Sequence, residues 1–337
     1  MSESRHLWFG VNGDRDDGGG IWAGTLSTAG TVTGARRVAA VINASFLARH
    51  ARLPVLYTVS EQAGGTVAAY AVRPGQTLEP LGPPVPVGSA PCHLLVHPDG
   101  GWLYAACYGD GTTAAVPLAD DGRPTDAVVR LRYSGSGPVS SRQEGPHAHS
   151  SLLSPDRKDL LVADLGSDSI WAHRLAAGRP EPDAHRLAMP AGFGPRHLLV
   201  HAGRILVTGE LSGEVAAVAW DGTAGRVEQI VPAATFPARD DGPAHQLSHL
   251  AEVDGHLLVG VRGADTLSWL RLGTDAPVLT GEVTTTASPR HFAVVDDHVV
   301  VAGAGAGEVG VHRLDDGAVG PLRERHRLPG VMSVLAA

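Results

Sequence analysis

The side chains best suited to chemistry in this sequence are a histidine, a glutamate and three arginines. Arg196, Arg262 and Arg290 each offer a planar fork of donors that matches the oxygens of a carboxylate or a phosphate. His149 can titrate near neutral pH, and Glu210 can accept a proton or orient a water molecule. Together these five residues predict a site that binds an anion and transfers protons.

The elements that must position these residues form a repeat. Each copy joins a short apolar strand, a turn and a second apolar strand, with turn residues such as Asp99-Gly100 and Asp254-Gly255. The clearest first strands are residues 92–96 (CHLLV), 196–200 (RHLLV), 248–251 (SHLA) and 290–294 (RHFAV), and weaker copies are 45–48 (SFLA) and 149–152 (HSSL). The copies recur at roughly the spacing of a four-stranded propeller blade.

This repeat predicts an all-β fold, a seven-bladed β-propeller with four-stranded antiparallel blades, and a single domain over residues 1–337. Residues 331–335 (VMSVL) supply the seventh innermost strand. Residues 8–11 and 21–24 have no innermost strand of their own, so the N- and C-terminal strands are expected to share the closing blade. A β-helix needs a shorter period, and a two-sheet sandwich does not give seven similar units.

Two rows of positions differ from copy to copy and are expected to face one mouth of the central channel. The start of each innermost strand and the end of the antiparallel second strand lie at the same end of a blade. The first row is Ser45, Cys92, His149, Arg196, Ser248 and Arg290, and the second is Glu61, Cys107, Asp164, Glu210, Arg262 and Ala304. The pocket between them is the predicted functional site.

Several of these residues also have structural interpretations. Arg262 and Arg290 could instead tie neighbouring blades together through carboxylates. The recurrent histidines are more typical of hydrogen-bonded structural residues: His93, His197, His249 and His291. Asp164 and Asp168 resemble turn carboxylates that accept backbone N–H bonds.

Metal and thiol chemistry have weaker signals. His147 and His149 are spaced like a metal-binding pair, but no third ligand is identifiable nearby. Cys92 and Cys107 are too few for a four-thiolate zinc site and are expected to be buried free thiols, with nucleophilic catalysis by Cys107 a minor alternative. We therefore expect neither a metal nor a cofactor.

The charge and hydropathy of the sequence argue against two classes of partner, nucleic acids and membranes. The net charge is −8 and the 27 Lys and Arg residues are scattered, which argues against nucleic acid. No apolar stretch is long enough to span a membrane, and the first residues lack the apolar core of a signal peptide. We expect a cytoplasmic monomer or small homo-oligomer whose partner is a small anionic metabolite.

Four segments together resemble the lactonase family of seven-bladed propellers, over essentially the whole chain. They are residues 143–150 (QEGPHAHS), 164–168 (DLGSD), 194–198 (GPRHL) and 209–211 (GEL). The family includes 6-phosphogluconolactonases and carboxy-cis,cis-muconate lactonising enzymes. The resemblance implies that the catalytic residues are His149, Arg196, Glu210 and Arg262, and we expect substrate contacts from Arg290, His147, His93 and Glu61.

The expected activity is hydrolysis of a small anionic lactone, a sugar-acid lactone with or without a phosphate, without a metal. Arg196 and Arg262 would hold the anionic group and stabilise the oxyanion, while His149 and Glu210 would activate water and protonate the leaving alkoxide. The same residues suit a cycloisomerase that closes a lactone on an unsaturated acid. A third hypothesis is a propeller that binds a partner without catalysis.

Overall fold

The computed structural model describes residues 4–14, 16–238, 245–274 and 276–337, and the regular elements in these ranges are 29 β-strands. The strands form seven antiparallel sheets. Nowhere in the described ranges is there a helix with the length and apolar character to cross a bilayer. The prediction of an all-β seven-bladed propeller is confirmed.

The blades are numbered from the first complete repeat. Blade 1 contains β4 (Leu47–Arg49), β5 (Val55–Ser60), β6 (Gly65–Arg73), β7 (Thr77–Pro80) and β8 (Val85–Gly88). Blade 2 contains β9 (Pro91–Val96), β10 (Trp102–Cys107), β11 (Thr112–Pro117) and β12 (Val129–Arg132). Blade 3 contains β13 (Ala148–Leu153), β14 (Asp159–Asp164), β15 (Ser169–Ala176) and β16 (Arg179–Ala188). Blade 4 contains β17 (Pro195–His201), β18 (Arg204–Gly209), β19 (Glu214–Trp220) and β20 (Gly225–Pro232).

The remaining blades complete the ring. Blade 5 contains β21 (Gln246–Val253), β22 (His256–Arg262), β23 (Thr266–Arg271) and β24 (Val278–Thr284). Blade 6 contains β25 (Pro289–Val295), β26 (His298–Gly303), β27 (Glu308–Asp315) and β28 (Ala318–Arg327). Blade 7 contains β29 (Val331–Ala336), β1 (Arg5–Val11), β2 (Gly20–Leu26) and β3 (Val32–Ala40).

Blade 7 joins the two ends of the chain, as the repeat predicted. Its strand order is β29-β1-β2-β3, and Phe9 of β1 pairs with Val334 of β29. Blade 1 departs from the simple pattern because its outer edge is divided between β7 and β8, which both pair with β6. The pairing of β29 with β1 closes the ring by joining the two ends of the chain in one sheet.

The apolar core lies between adjacent blades. Tyr57 of blade 1 and Leu103 of blade 2, for example, belong to one buried cluster. Second strands such as β14 are buried along their whole length, because neighbouring blades cover both faces. Outermost strands such as β28 alternate mostly between exposed and partly buried residues, because one face meets solvent.

A β-bulge marks the start of the innermost strand in blades 2 to 7, at the point where the pairing with the second strand shifts. Bulges leave a residue out of the ladder and turn its side chain in a new direction. The residues inside these bulges include Cys92, His149, Arg196, Ser248 and Arg290. The first variable row of the sequence, apart from Ser45 of blade 1, is therefore a row of bulge residues.

Candidate active site

A polar pocket of about 290 Å³ lies beside several of these bulge residues. It is lined by Glu61, Cys92, Tyr108, Arg142, His149, Glu210, Arg262 and Arg290. Arg196 lies against the same site, because its Nε is 2.8 Å from Glu210 Oε2. The four residues expected to be catalytic are thus brought together, along with Arg290 and Glu61.

Glu210 is the centre of the charge network. Its Oε2 lies 2.8 Å from Arg196 Nε and 2.7 Å from Arg262 Nη2. Its Oε1 accepts a 2.6 Å hydrogen bond from Arg142 Nη2. Burial of a carboxylate beside three guanidinium groups is tolerable only because each oxygen has cationic partners.

The charges in this network are fixed at neutral pH. Burial alone would raise the pKa of Glu210, but the positive charges of Arg262 and Arg196 outweigh it and hold this pKa well below the usual range. Burial and the charge of Arg262 lower the pKa of Arg196 to about 9, so this guanidinium also remains charged at neutral pH. The pair is ionised.

His149 occupies the bulge of β13 and is 5% exposed. Its Nε2 is 3.8 Å from Glu210 Oε2, and its Nδ1 is 3.9 Å from Cys92 Sγ. Burial and the positive charge of Arg196 lower the pKa of His149 well below its ordinary value. The imidazole is therefore neutral at pH 7 and able to accept a proton.

On the side of the pocket that carries Arg290 and Glu61, the charged groups lie farther apart than the arginines do from Glu210. Arg290 Nη2 is 3.6 Å from Glu61 Oε2, a contact between blades 6 and 1, which are separated by blade 7 and are not the neighbouring blades of the structural interpretation. Cys92 Sγ donates to the main-chain oxygen of His149 at 3.4 Å. Burial, with the charge of Glu61, raises the pKa of the Cys92 thiol, so the sulfur stays protonated.

His147 and His93 lie outside the pocket lining. His147 stacks on Tyr108 with ring centroids 4.3 Å apart, and its Nδ1 lies 2.7 Å from the main-chain oxygen of Tyr108. His93 lies in the channel, where its ring centroid is 4.6 Å from that of Phe46. His147 therefore supports the ring of Tyr108, and His93 packs against Phe46, so neither lines the pocket as expected for a substrate contact.

The recurrent histidines form a cluster in the channel. His197 Nδ1 is 3.0 Å from His249 Nδ1, and the rings of His249 and His291 stack at 3.9 Å. His93 and His197 are also in ring contact. Their hydrogen bonding and stacking agree with the structural interpretation of this repeat position.

Part of the second variable row lines the pocket, namely Glu61, Glu210 and Arg262, whereas Cys107 and Asp164 do not. Cys107 is fully buried in the core between blades 1 and 2, which excludes it from the site where the row had placed it. Asp164 accepts hydrogen bonds from the main-chain nitrogens of His147, Gly166 and Ser167, as expected for a turn carboxylate. Both cysteines are buried and free, as predicted.

Close backbone packing explains two of the glycine-containing motifs. A Cβ on Gly166 would lie 1.8 Å from the main-chain oxygen of Gly145, so only glycine lets the 164–168 turn meet the segment that carries His149. Gly194 has φ +62°, and its N–H donates to Asp168 Oδ1 at 2.7 Å. The second turn carboxylate thus fixes the approach to Arg196.

Tyr108 and Arg142 are pocket residues that the sequence did not indicate. Tyr108 follows the second-strand row by one position, and Arg142 precedes the 143–150 motif in the connection between β12 and β13. The sequence offered one signal for both residues, which is that each adjoins a position already assigned to the site. Within the described ranges, no group of three or more His, Cys, Asp or Glu side chains is arranged to hold a metal ion.

Comparison with known proteins agrees with the fold. The family model described as "Lactonase, 7-bladed beta-propeller" matches residues 6–336. The 6-phosphogluconolactonase of Bacillus subtilis (strain 168) is 28% identical over 270 residues, which cover 77% of this chain and 76% of that protein.

Solved structures extend the comparison to the whole chain. A protein from Lactobacillus plantarum is 28% identical with a TM-score of 0.89, covering 99% of this chain and 100% of that one. The periplasmic gluconolactonase of Pseudomonas aeruginosa is 26% identical with a TM-score of 0.88, covering 99% of both chains. This chain belongs to the lactonase family of seven-bladed β-propellers.

Proposed function

We propose that this protein is a metal-independent lactonase that hydrolyses a small anionic lactone. The observation that carries the proposal is the neutral imidazole of His149 beside a carboxylate that is bound by three arginines. A neutral base and a group of fixed cations are what ester hydrolysis needs: a proton acceptor for water and donors for the oxyanion.

In the proposed reaction, His149 accepts a proton from a water molecule while the water oxygen bonds to the lactone carbonyl carbon. The guanidinium groups of Arg196 and Arg262 stabilise the negative charge that develops on the carbonyl oxygen. The imidazolium of His149 then returns the proton to the ring oxygen as the ring C–O bond breaks. The product is a hydroxy acid, which ionises at neutral pH.

The role of Glu210 differs from the one expected from sequence. Both oxygens of the Glu210 carboxylate are held by arginines, so we assign proton transfer to His149 alone. Glu210 instead orients Arg196, Arg262 and Arg142, and its charge stabilises the imidazolium that forms on His149. This arrangement resembles the division of labour between histidine and carboxylate in other acyl-transfer sites.

The substrate is proposed to be a sugar-acid lactone that carries an additional anionic group. The arginines of the pocket favour such a ligand, and the Bacillus subtilis relative is described as a 6-phosphogluconolactonase. The Pseudomonas aeruginosa relative is described as a gluconolactonase, so an unphosphorylated lactone belongs in the same trial. A small anionic metabolite is thus the proposed partner, bound by a monomer or small homo-oligomer.

The test is hydrolysis of freshly prepared 6-phosphogluconolactone, followed by proton release and corrected for the spontaneous reaction. His149→Ala and Arg196→Ala should each lower kcat/KM at least roughly a hundredfold. The control variant Arg73→Ala removes an exposed arginine paired with Glu79 and should behave as wild type. Circular dichroism checks the fold of each protein.

Full activity in His149→Ala would overturn the assignment of the base. No turnover of any sugar lactone by the folded wild type would overturn the lactonase proposal. A panel of unsaturated diacids then tests the cycloisomerase alternative, and product mass separates the two reactions because hydrolysis adds a water and cyclisation does not.

The cytoplasm is our proposed location. The Pseudomonas aeruginosa relative is described as periplasmic, so the location of this protein needs a direct test. Fractionation of cells that express the protein from its own gene, followed by immunoblotting, tests the proposal.

A further inference from the structure

The connection between β12 and β13 holds Arg142 at the mouth of the pocket. The adjacent Gln143 is fully buried; its Nε2 donates to the main-chain oxygen of Leu165 at 2.9 Å and to Asp168 Oδ1 at 2.8 Å. Its Oε1 accepts the main-chain N–H of Val139 at 3.0 Å. Asp168 also accepts a hydrogen bond from the main-chain N–H of Gly194, two residues before Arg196. The same carboxylate therefore holds both the connection that carries Arg142 and the segment that carries Arg196.

Tyr108 completes this part of the pocket. Its hydroxyl oxygen accepts from Arg142 Nη2 at 3.2 Å and from Arg142 Nε at 3.4 Å. Since the oxygen lone pairs face one guanidinium, the hydroxyl hydrogen is what Tyr108 can offer to a ligand. Burial raises the pKa of Tyr108, so this hydrogen is present at neutral pH.

The two oxygens of Glu210 divide the pocket into two sides. Oε2 contacts Arg196 and Arg262 and lies nearest His149, whereas Oε1 contacts Arg142. Reaction at the carbonyl is assigned to the Oε2 side. The Oε1 side carries Arg142, whose side chain is 32% exposed and reaches solvent, together with the hydroxyl of Tyr108.

Charge and hydrogen bonding indicate what the Oε1 side can bind. Both oxygens of Glu210 contact arginines, and Glu61 Oε2 lies 3.6 Å from Arg290 Nη2. The groups left for a ligand are therefore mainly donors, and the described arginines outnumber the glutamates four to two. Such a site favours an oxyanion over a neutral hydroxyl group.

We propose that Arg142 and Tyr108 form a specificity clamp that binds a second oxyanion of the substrate, away from the lactone carbonyl. The oxyanion is a phosphate ester or a carboxylate on the far end of the sugar-acid lactone. Arg142 supplies guanidinium N–H donors and Tyr108 supplies its hydroxyl hydrogen. The clamp rests on the proposed lactonase function and adds a determinant of substrate choice to it.

Three lactones of the same sugar acid test the clamp: one with a 6-phosphate, one with a 6-carboxylate and one with a neutral hydroxymethyl group. The wild type should prefer at least one charged lactone over the neutral one. Arg142→Gln and Tyr108→Phe should reduce that preference roughly tenfold or more, mainly through KM for the charged lactone. Their loss of kcat/KM for the neutral lactone should be clearly smaller than their loss for the charged one.

Matched controls are Arg73→Gln, an exposed arginine, and Tyr57→Phe, which loses a hydroxyl bonded to the Gly122 main-chain oxygen far from the pocket. Neither should alter the preference. Equal losses for charged and neutral lactones in Arg142→Gln would overturn the clamp, because they would show that Arg142 acts only through Glu210. An unchanged preference in both pocket variants would overturn it as well.

Binding separates failure of the clamp from failure of the proposed reaction. Calorimetric titration with 6-phosphogluconate, glucarate and gluconate needs no turnover. Tighter binding of 6-phosphogluconate or glucarate than of gluconate by the wild type, lost in Arg142→Gln and Tyr108→Phe, supports the clamp even where no lactone is hydrolysed. Equal affinity for the three acids in the wild type would overturn the clamp while leaving His149-dependent hydrolysis intact.

Discussion

His149 Nε2 lies 3.8 Å from Glu210 Oε2, the oxygen that also contacts Arg196 and Arg262. The base and the cations that surround it therefore depend on one carboxylate. Removing the charge of Glu210 should therefore lower both the free energy of unfolding and the catalytic rate.

Glu210→Gln keeps the shape of the side chain but removes the negative charge shared by three arginines. We expect the free energy of unfolding to fall by about 3 kcal/mol, because buried cations are left without a counter-charge. Urea unfolding measures the change, and kcat should fall in the same variant. Glu79→Gln, at an exposed ion pair, is the control and should change stability little. Equal stability of the two variants would contradict the central role of Glu210.

The pH dependence of kcat/KM should be broad. His149 must be neutral to accept a proton, and burial with the charge of Arg196 keeps its pKa well below 6.5. The rate should thus hold down to pH 6 and decline only at more acidic pH. It should stay level from pH 6 through neutral pH, because Arg196 and Glu210 both remain charged there. Initial rates corrected for spontaneous hydrolysis give the profile, and an acidic limb at pH 6.5 or above would refute a neutral His149 base.

Acid should destabilise the fold through the channel histidines. Burial and the charge of Arg196 lower the pKa values of His93 and His291 to about 3 in the folded protein, whereas an unfolded histidine titrates near 6.5. Between these values the unfolded chain binds more protons, so stability is complete above about pH 6.5 and is lost as pH falls toward 3. Each such histidine contributes a slope of about 1.4 kcal/mol per pH unit.

Urea unfolding at a series of pH values measures this slope. His93→Gln should make it shallower, whereas His185→Gln, which alters an exposed histidine of β16, should not. Identical slopes in the two variants would show that the channel histidine does not contribute to acid sensitivity.

Cys92 should be dispensable for catalysis although it lines the pocket. Its thiol is buried and protonated and donates to the main-chain oxygen of His149, so it is a poor nucleophile. Cys92→Ser retains a donor at this position, and its kcat should remain within about threefold of wild type. A much larger loss, or an acyl adduct on Cys92 detected by mass spectrometry, would indicate covalent catalysis instead.

The repeat was sufficient to predict the fold and much of the pocket because every blade delivers the same two strand ends to one mouth. His149, Arg196, Glu210 and Arg262 occupy repeat positions, and comparison of the copies could find them. Their convergence on a single carboxylate was not predictable, since it depends on how side chains from blades 3, 4 and 5 extend across the axis.

Residues outside the repeat positions were missed for a related reason. Arg142 lies in the connection between β12 and β13, outside the strand ends that were compared, and Tyr108 lies one residue past the row that included Cys107. The pairing of β9 and β10 shifts between Ala106 and Cys107, and the Cys107 side chain packs into the core, while Tyr108 reaches the pocket. Counting residues along a strand assumes regular alternation of side chains, so it could not show that Tyr108 and not Cys107 faces the pocket.

The bulges at the start of the innermost strands allow the chemistry of this molecule to change independently of its architecture. A bulge residue is not part of the paired ladder, so its side chain can be exchanged with little effect on the hydrogen bonds that hold the blade. Cys92, His149 and Arg290 are such positions in three different blades. Descendants of one ancestral ring could therefore acquire new substrates by substitution at a few sites, and a combinatorial library confined to these positions would sample that diversity.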